Sequence, residues 1–284
     1  MSTDHVLKWY ARTIQSPYLH YGFWDEPDAV ILSEITLADI QAAQRRYIEH
    51  LATYIPPGVR SVLDVGCGLG GNAAYLKDLG YKVETLSPDA YQETVIREKF
   101  AGEIPFHCTK FETFDLDRRY DLIFESESAC YIRIKQGFEQ ARRHLNPGGY
   151  LLASDYFVYH TEGDSPLMKS SHNQAAYLAA AQEAGFTLVQ SYDQTEHVLP
   201  TLDIACYFIE RFVEPSMDYA RYSMQKHYPK LTRFIAWLTR TVVVKKKRQM
   251  DLIRSSEFRK YRKYMIYLFQ KSDQDELSEP VKAE

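Results

Sequence analysis

Between Val62 and Asn72 the chain reads Val-Leu-Asp64-Val-Gly66-Cys-Gly68-Leu-Gly70-Gly-Asn. An apolar run leads into three alternate glycines and then into a helix-forming segment. Glycine reaches positive φ without a Cβ penalty, so backbone can pass close to a ligand that any side chain would push away. A tight strand-to-helix turn is the plainer use of such a triplet, but the strand before it and the helix after it supply the context that a nucleotide site requires. Dinucleotide sites space their glycines as G-x-G-x-x-G and place a pyrophosphate on the helix N-terminus. Here an acid, Asp64, leads Gly66, Gly68 and Gly70 at a spacing of two, which fits a nicotinamide dinucleotide poorly.

The Asp-x-Gly-x-Gly-x-Gly pattern resembles motif I of the class I S-adenosylmethionine-dependent methyltransferases. That resemblance implies S-adenosylmethionine as cofactor, with Asp64, Gly66, Gly68 and Gly70 around its amino-acid and ribose parts. Later segments extend it. Thr85-Leu86-Ser87 is similar to the Thr-Leu-Ser of the cyclopropane-fatty-acid-synthase branch, which implies ribose contacts from Thr85 and Ser87; capping of the next helix is the alternative. Gln92 stands two residues later than the Gln of that branch. Phe111-Glu112 resembles the branch's aromatic–Glu pair, which implies stacking on adenine and a carboxylate for its amino group. Both suit adenine physically, with core packing of Phe111 as the rival use.

The segment Glu125-Ser-Glu127-Ser-Ala-Cys130-Tyr131 is similar to the Glu-Ala-Thr-Cys-His of sterol C-methyltransferases and the Glu-Ser-Gly-Glu-His of tocopherol C-methyltransferases. Glu127 and Cys130 match, while Tyr131 replaces the family His. Asp193-Gln-Thr-Glu-His197-Val-Leu-Pro200 resembles the Asp-Trp-Ser-Glu-Asn-Val-Ala-Pro of the tocopherol type, and Leu19–Trp24 its His-x-Gly-x-Trp entry segment. The likeness runs from about residue 18 to 271. It implies methylation of a small, largely hydrophobic acceptor, preferably at carbon of a prenyl-type or aromatic molecule. Transfer to O or N of a natural product, and a non-catalytic S-adenosylmethionine-binding protein, are the alternatives. Cyclopropanation fits less well without a Glu-His pair at Cys130-Tyr131.

Methyl transfer from a sulfonium is an in-line displacement on an already activated donor, so alignment and exclusion of water carry most of the catalysis. Positioning alone can contribute about 7–11 kcal/mol. A carbon acceptor further needs π-faces for positive charge and a base for a proton. Tyr21, Trp24, Tyr131 and Tyr207 are candidates for an aromatic wall; Glu127 and His197 are candidate bases, since a carboxylate in an apolar pocket has its pKa raised toward neutrality. Asp155, just past the fifth strand, is a further candidate acceptor contact. The plainer readings are packing of the N-terminal arm for Tyr21 and Trp24, a cofactor or loop anchor for Glu127, and a hydrogen-bonded surface His for His197.

These residues need a scaffold, and the chain alternates strand and helix to supply one. A helix follows the Thr36–Asp39 capping-box spacing and ends at Pro56-Pro57-Gly58. Strands are predicted at Ser61–Val65, Lys82–Leu86, Pro105–Cys108, Asp121–Glu125, Tyr150–Ser154, Phe186–Tyr192 and Tyr264–Phe269. Helices are predicted at Asn72–Leu79, Tyr91–Phe100, Lys135–Leu145 and Gln174–Glu183, with a turn at Asn146–Gly149. Such alternation predicts an α/β, Rossmann-like, doubly wound, seven-stranded, mostly parallel sheet. The expected organisation is an aromatic arm and cap helix (1–60), a cofactor-binding core (61–200), a helical lid inserted before the last strand (201–257), that strand (258–272) and a tail (273–284).

Composition bounds the rest. At 284 residues and 45% hydrophobic content the chain can bury an ample core. Its four cysteines have no close pairing, so neither a disulfide framework nor a zinc knuckle is expected, and no metal site is read from the sequence. No apolar run approaches a membrane span and the first residues lack signal-peptide character, so a cytoplasmic protein is expected. The net charge of −4 divides unevenly: residues 240–271 hold 11 Lys/Arg and two acids, a local +9 against −13 elsewhere. With the body acidic, nucleic acid is not an expected partner. A solvated face, or a membrane-surface contact near a lipid-soluble acceptor, suits the basic segment better. A homo-oligomer remains compatible with all of this.

Overall fold

Short apolar runs bounded by glycine, proline or helix caps become strands, and the polar-faced segments between them become helices. The computed structural model describes residues 12–160, 162, 165–169, 171–233 and 254–272. Helix α1 (Leu37–Ala52) starts at a complete capping box: the Thr36 hydroxyl accepts from the Asp39 N–H, and the Asp39 carboxylate accepts from the Thr36 N–H. Its buried face holds Ala43, Gln44, Tyr47, Ile48 and Leu51. Strands β1 (Ser61–Val65), β2 (Lys82–Leu86), β3 (Phe106–His107), β4 (Tyr120–Ser126) and β5 (Leu145–Val158) run parallel; β6 (Phe186–Asp193) and β7 (Arg262–Lys271) complete the sheet. The order is β3-β2-β1-β4-β5-β7-β6, and β7 is antiparallel to both of its neighbours. Connecting helices are α2 (Gly71–Asp78), α3 (Ala90–Phe100), α4 (Ile134–His144) and α5 (Gln174–Glu183).

The expected doubly wound α/β sheet is therefore present, with a core on each face. Val62, Phe124, Leu152 and Ile266 pack toward Tyr47 and Leu51 of α1. Leu63, Ile123, Leu151 and Met265 pack on the other face with Phe138 of α4 and Tyr177 of α5. Chain order reverses between β1 and β4, which opens a crevice beyond their carboxyl ends, the usual ligand position in such sheets.

Three features differ from the sequence reading. Asn146–Gly149, predicted as a turn, lies within β5 as a wide bulge: Tyr120 pairs with Leu145 while Leu122 pairs with Tyr150. β5 and β7 run past their predicted ends and stay paired out to Val158 and Arg262, which carries Asp155, Tyr156 and Arg262 beyond the carboxyl edge of β4. The boundary expected at residue 200 falls inside α6 (Thr195–Phe208), whose Val198, Leu199, Leu202 and Ile204 are buried, so the start of the insertion is core. A π-helical turn (Ile209–Val213) links α6 to α7 (Glu214–His227), which buries none of its residues; α8 (Ser255–Tyr261) leads into β7. Trp9 and Tyr10 of the arm, residues 234–253 of the expected lid with Lys245–Arg248, and the 273–284 tail lie outside the described residues. Among the described residues no helix is long and apolar enough to cross a membrane.

Candidate active site

β1 ends at Val65 and the chain turns at once. Gly66, Gly68 and Gly70 have φ of 76°, 56° and 75°, all left-handed, and Gly70 is the N-cap of α2. The Gly66 N–H donates to the Leu86 carbonyl at 2.8 Å, and a Cβ on Gly66 would stand 2.4 Å from Cβ of Ser128. Over this turn lies a cavity of about 720 Å³. Its walls are the end of β2 (Ser87, Asp89), Phe111 and Glu112, the segment after β4 (Ser126–Ser128, Tyr131) and the arm (Tyr18–His20). Asp89 caps α3, accepting from the Tyr91 and Gln92 N–H groups at 2.7 and 3.1 Å. Ser126 Oγ, Ser128 Oγ and Gln92 Oε1 are buried without a hydrogen-bond partner among the described residues. Three acids, Asp89, Glu112 and Glu127, face the cavity against one lysine, Lys110, a balance that favours a cationic ligand.

Two expected cofactor residues stand behind this wall. Thr85 is fully buried and its hydroxyl donates to the Pro105 carbonyl at 2.9 Å, which ties β2 to β3 and turns it away from the cavity. Asp64 is buried beneath the turn; burial pushes its carboxyl up to about 7, and Oδ2 has no partner among the described residues.

The arm crosses the glycine turn and is held from three sides. Gln44 of α1 donates to the Tyr18 and His20 carbonyls. The His20 imidazole lies 2.8 Å from the Tyr21 carbonyl and 3.0 Å from the Asn72 side-chain amide, and burial lowers its pKa to about 4, which keeps the ring neutral. The Tyr21 N–H donates to Glu127 Oε1 at 2.7 Å. That same oxygen accepts from the Tyr264 hydroxyl of β7, also at 2.7 Å. Behind Tyr264 the chain of hydrogen bonds continues to Tyr47 (2.9 Å), Ser154 (2.6 Å) and Gln194 (2.8 Å). Burial raises the Glu127 carboxyl to about 8, with the two donors opposing the rise.

Beside Glu127, on the face toward α1, the Tyr21 and Tyr264 rings lie 5.7 Å apart and the Tyr156 and Tyr264 rings 6.4 Å apart. Asp155 is buried, with Oδ2 taken by the Cys130 N–H and Oδ1 by the Tyr156 N–H. Tyr131 stands at the cavity mouth, 82% exposed. His197 is not a cavity residue: its Nδ1 is 2.8 Å from the Trp24 carbonyl and its ring stacks on Phe23 at 4.4 Å, so it fastens the arm to α6 and is withdrawn from the role of base. Trp24 serves the same contact, donating from its indole to Thr201. Tyr207 lies on a separate groove with Pro27 and Arg254.

A family model described as a methyltransferase domain matches residues 37–196, more than half of the chain. The chain belongs to the methyltransferase domain family. It is a class I S-adenosylmethionine-dependent methyltransferase. The methyltransferase is 27% identical over 210 residues to methyltransferase GfsG of Streptomyces halstedii, which covers 67% of this chain and 73% of that one. It is 26% identical over 206 residues to the 2-methyl-6-phytyl-1,4-hydroquinone methyltransferase of a Synechocystis strain, covering 64% of this chain and 59% of the relative. In fold it matches geranyl diphosphate C-methyltransferase from Streptomyces coelicolor A3(2) with a TM-score of 0.66 and 14% identity, covering 89% of this chain and 91% of that one.

The cavity of the methyltransferase fits the cofactor on its own chemistry: a cradle that a Cβ would fill, orphaned hydroxyls at Ser126 and Ser128, an aromatic flank at Phe111 and an acidic lining for a sulfonium. The sequence reading missed Asp89, Tyr264 and Gln44. Asp89 had a local signal, an N-cap acid just after β2. Tyr264 and Gln44 had none, because their partners are remote in the chain.

Proposed function

We propose that this methyltransferase transfers the methyl group of S-adenosylmethionine to carbon of a prenyl-type or aromatic acceptor held against Tyr21, Tyr156 and Tyr264. The supporting observation is the position of Glu127, whose carboxyl joins the cofactor cavity to this aromatic cluster and titrates near 8. On this reading the glycine turn, Ser87, Asp89, Phe111 and Glu112 hold the cofactor, which supplies an activated methyl group when bound. Glu127 in its ionised form takes the proton that the acceptor loses, and Tyr21 and Tyr156 present π-faces to positive charge. The arm excludes water over Gly68, where Leu19 Cδ1 lies 3.0 Å from the place a Cβ would occupy. Tyr131 closes the mouth. A relative named for a phytyl hydroquinone suits the prenyl-type acceptor, while other relatives are named as O- and N-methyltransferases, so the choice of carbon rests on the carboxyl and the aromatic cluster.

The test is transfer from methyl-labelled S-adenosylmethionine to a panel of prenylated hydroquinones, olefinic prenyl compounds and their O-methyl ethers, with products located by mass spectrometry and NMR. Label on carbon, retained in the ether-blocked acceptors, is the expected result. Label confined to oxygen or nitrogen overturns the carbon reading, and tight cofactor binding without turnover on any acceptor overturns the enzymatic role of Glu127.

A further inference from the structure

Arg262 opens β7, paired with Val158, two residues before Tyr264 and on the same face of the strand. The residue is 8% exposed. The guanidinium carbon lies 4.8 Å from the Tyr156 ring centre and 5.8 Å from that of Phe258. Nη2 donates one long bond, 3.4 Å, to the Leu167 carbonyl, and Nε is buried with no acceptor among the described residues. No carboxylate among the described residues comes within the 4.0 Å of an ion pair with it. Asp155, the acid that faces it together with Tyr21, Cys130 and Tyr156, already has both oxygens engaged by backbone N–H groups. A guanidinium carries five donors in a planar fork, and this one uses a single weak bond. Taking such a cation out of water without acceptors destabilises a fold unless an anion completes it.

We propose that Arg262 seats an anionic group, a carboxylate or a phosphate, at the non-reacting end of the acceptor. The fork matches either anion with two parallel hydrogen bonds. One strand step separates Arg262 from Tyr264, whose hydroxyl touches Glu127, so an amphipathic acceptor spans from the base to the guanidinium along the Tyr21–Tyr156 wall. The inference rests on the reading of that wall as the acceptor end of the site.

The experiment titrates phenyl phosphate, phenylacetate and neutral 2-phenylethanol into the full-length protein loaded with S-adenosylhomocysteine, followed by calorimetry. At least one anion is expected to bind tenfold or more tightly than the alcohol, and the better anion identifies the group. Arg262→Met is expected to erase that preference with unchanged S-adenosylhomocysteine affinity, while Arg262→Lys keeps part of it. The ligand-free Arg262→Met protein is also expected to melt no lower than the parent, because an under-partnered buried charge is removed. Equal affinity for all three probes, or no binding of either anion at millimolar concentration, overturns the proposal. So does an anion preference that survives in Arg262→Met. If Arg262→Met does not fold, the guanidinium is structural and the assignment to a ligand falls. Loss of S-adenosylhomocysteine binding by the parent protein would instead strike the cofactor reading, and the two failures are distinguishable.

Discussion

Tyr264→Phe removes one of the two donors on Glu127 Oε1 and leaves the other, the Tyr21 N–H, in place. Tyr47 keeps its 2.6 Å bond to Ser154, so no buried hydroxyl is orphaned and the fold is expected to lose only about 1 kcal/mol. The consequence for Glu127 is larger. A hydrogen bond to a charged group is worth about 1.5–3 kcal/mol, and 1.36 kcal/mol corresponds to one pKa unit. The lost bond favoured the ionised form, so the carboxyl rises from about 8 to roughly 9–10. The acid limb of kcat/KM against pH should move up by one to two pH units, with the alkaline plateau held within about twofold. Near pH 7.5 the ionised fraction falls from roughly a quarter to a few per cent or less, a loss of about eightfold or more that high pH restores. A ¹³C-carboxyl NMR titration of glutamate-labelled protein should follow the same displacement without reference to turnover. An acid limb that stays in place or moves down refutes both the influence of the Tyr264 hydroxyl on the carboxyl and the role given to Glu127.

Gly66→Ala places a methyl group 2.4 Å from Ser128 at a φ of 76°, so S-adenosylhomocysteine affinity should fall by roughly 10–100-fold, by calorimetry, with far-UV dichroism preserved. Asp64 has a folded-state pKa raised to about 7, so its stabilising share is complete below the unfolded value near 4 and is lost as pH rises through 7. Asp64→Asn should accordingly narrow the difference between the melting temperatures at pH 5 and pH 8 by several degrees, and an unchanged difference would count against the buried, unpartnered carboxyl. Gln44→Leu releases two arm carbonyls, and cofactor affinity should drop roughly 3–30-fold with faster amide exchange over residues 16–22. His197→Ala should lower stability by about 1–2 kcal/mol and leave the pH profile in place; a large fall in kcat at unchanged melting temperature would restore it as a base.

The parts of this protein that were legible in its sequence are those whose causes are local. Ser61–Val65 is a five-residue apolar strand closed by glycine, and Thr36 with Asp39 marks a helix start by a reciprocal bond three residues long. The glycine turn announces itself because no other residue type sits as comfortably at three alternate left-handed positions. The illegible parts depend on pairing across the chain. Tyr264 reads as one aromatic in an apolar strand, yet its hydroxyl meets Tyr47, 217 residues away, and Glu127, 137 away. His197 reads as a base because it stands where the resembling tocopherol-type segment has Asn, while Tyr131 replaces the family His; the arm carbonyl that occupies it is 173 residues distant. Thr85 has the right type and place for a ribose contact, but strand alternation sends its side chain toward Pro105. The carry of β5 and β7 beyond the sheet edge follows from their mutual register, which neither strand's own residues state.

Glu127 adopts a φ of 52°, uncommon for a residue with a side chain and worth about 1–2 kcal/mol of strain. Its surroundings explain why that conformation persists. The residue leaves the line of β4, its N–H donates to the Ser154 carbonyl of β5 at 2.8 Å, and its carboxyl turns into the cavity. There the N-terminal arm supplies one donor and the last strand another, so three segments that are distant in the chain over-determine one side chain. The carboxyl proposed here as proton acceptor therefore lacks its setting until the arm has crossed the glycine turn and β7 has inserted between β5 and β6. A partly folded chain could form the β1 turn from local residues alone, but it could not form a carboxyl held near neutrality against an aromatic wall. Coupling the base to completion of the fold confines the proposed chemistry to the finished, water-excluding site.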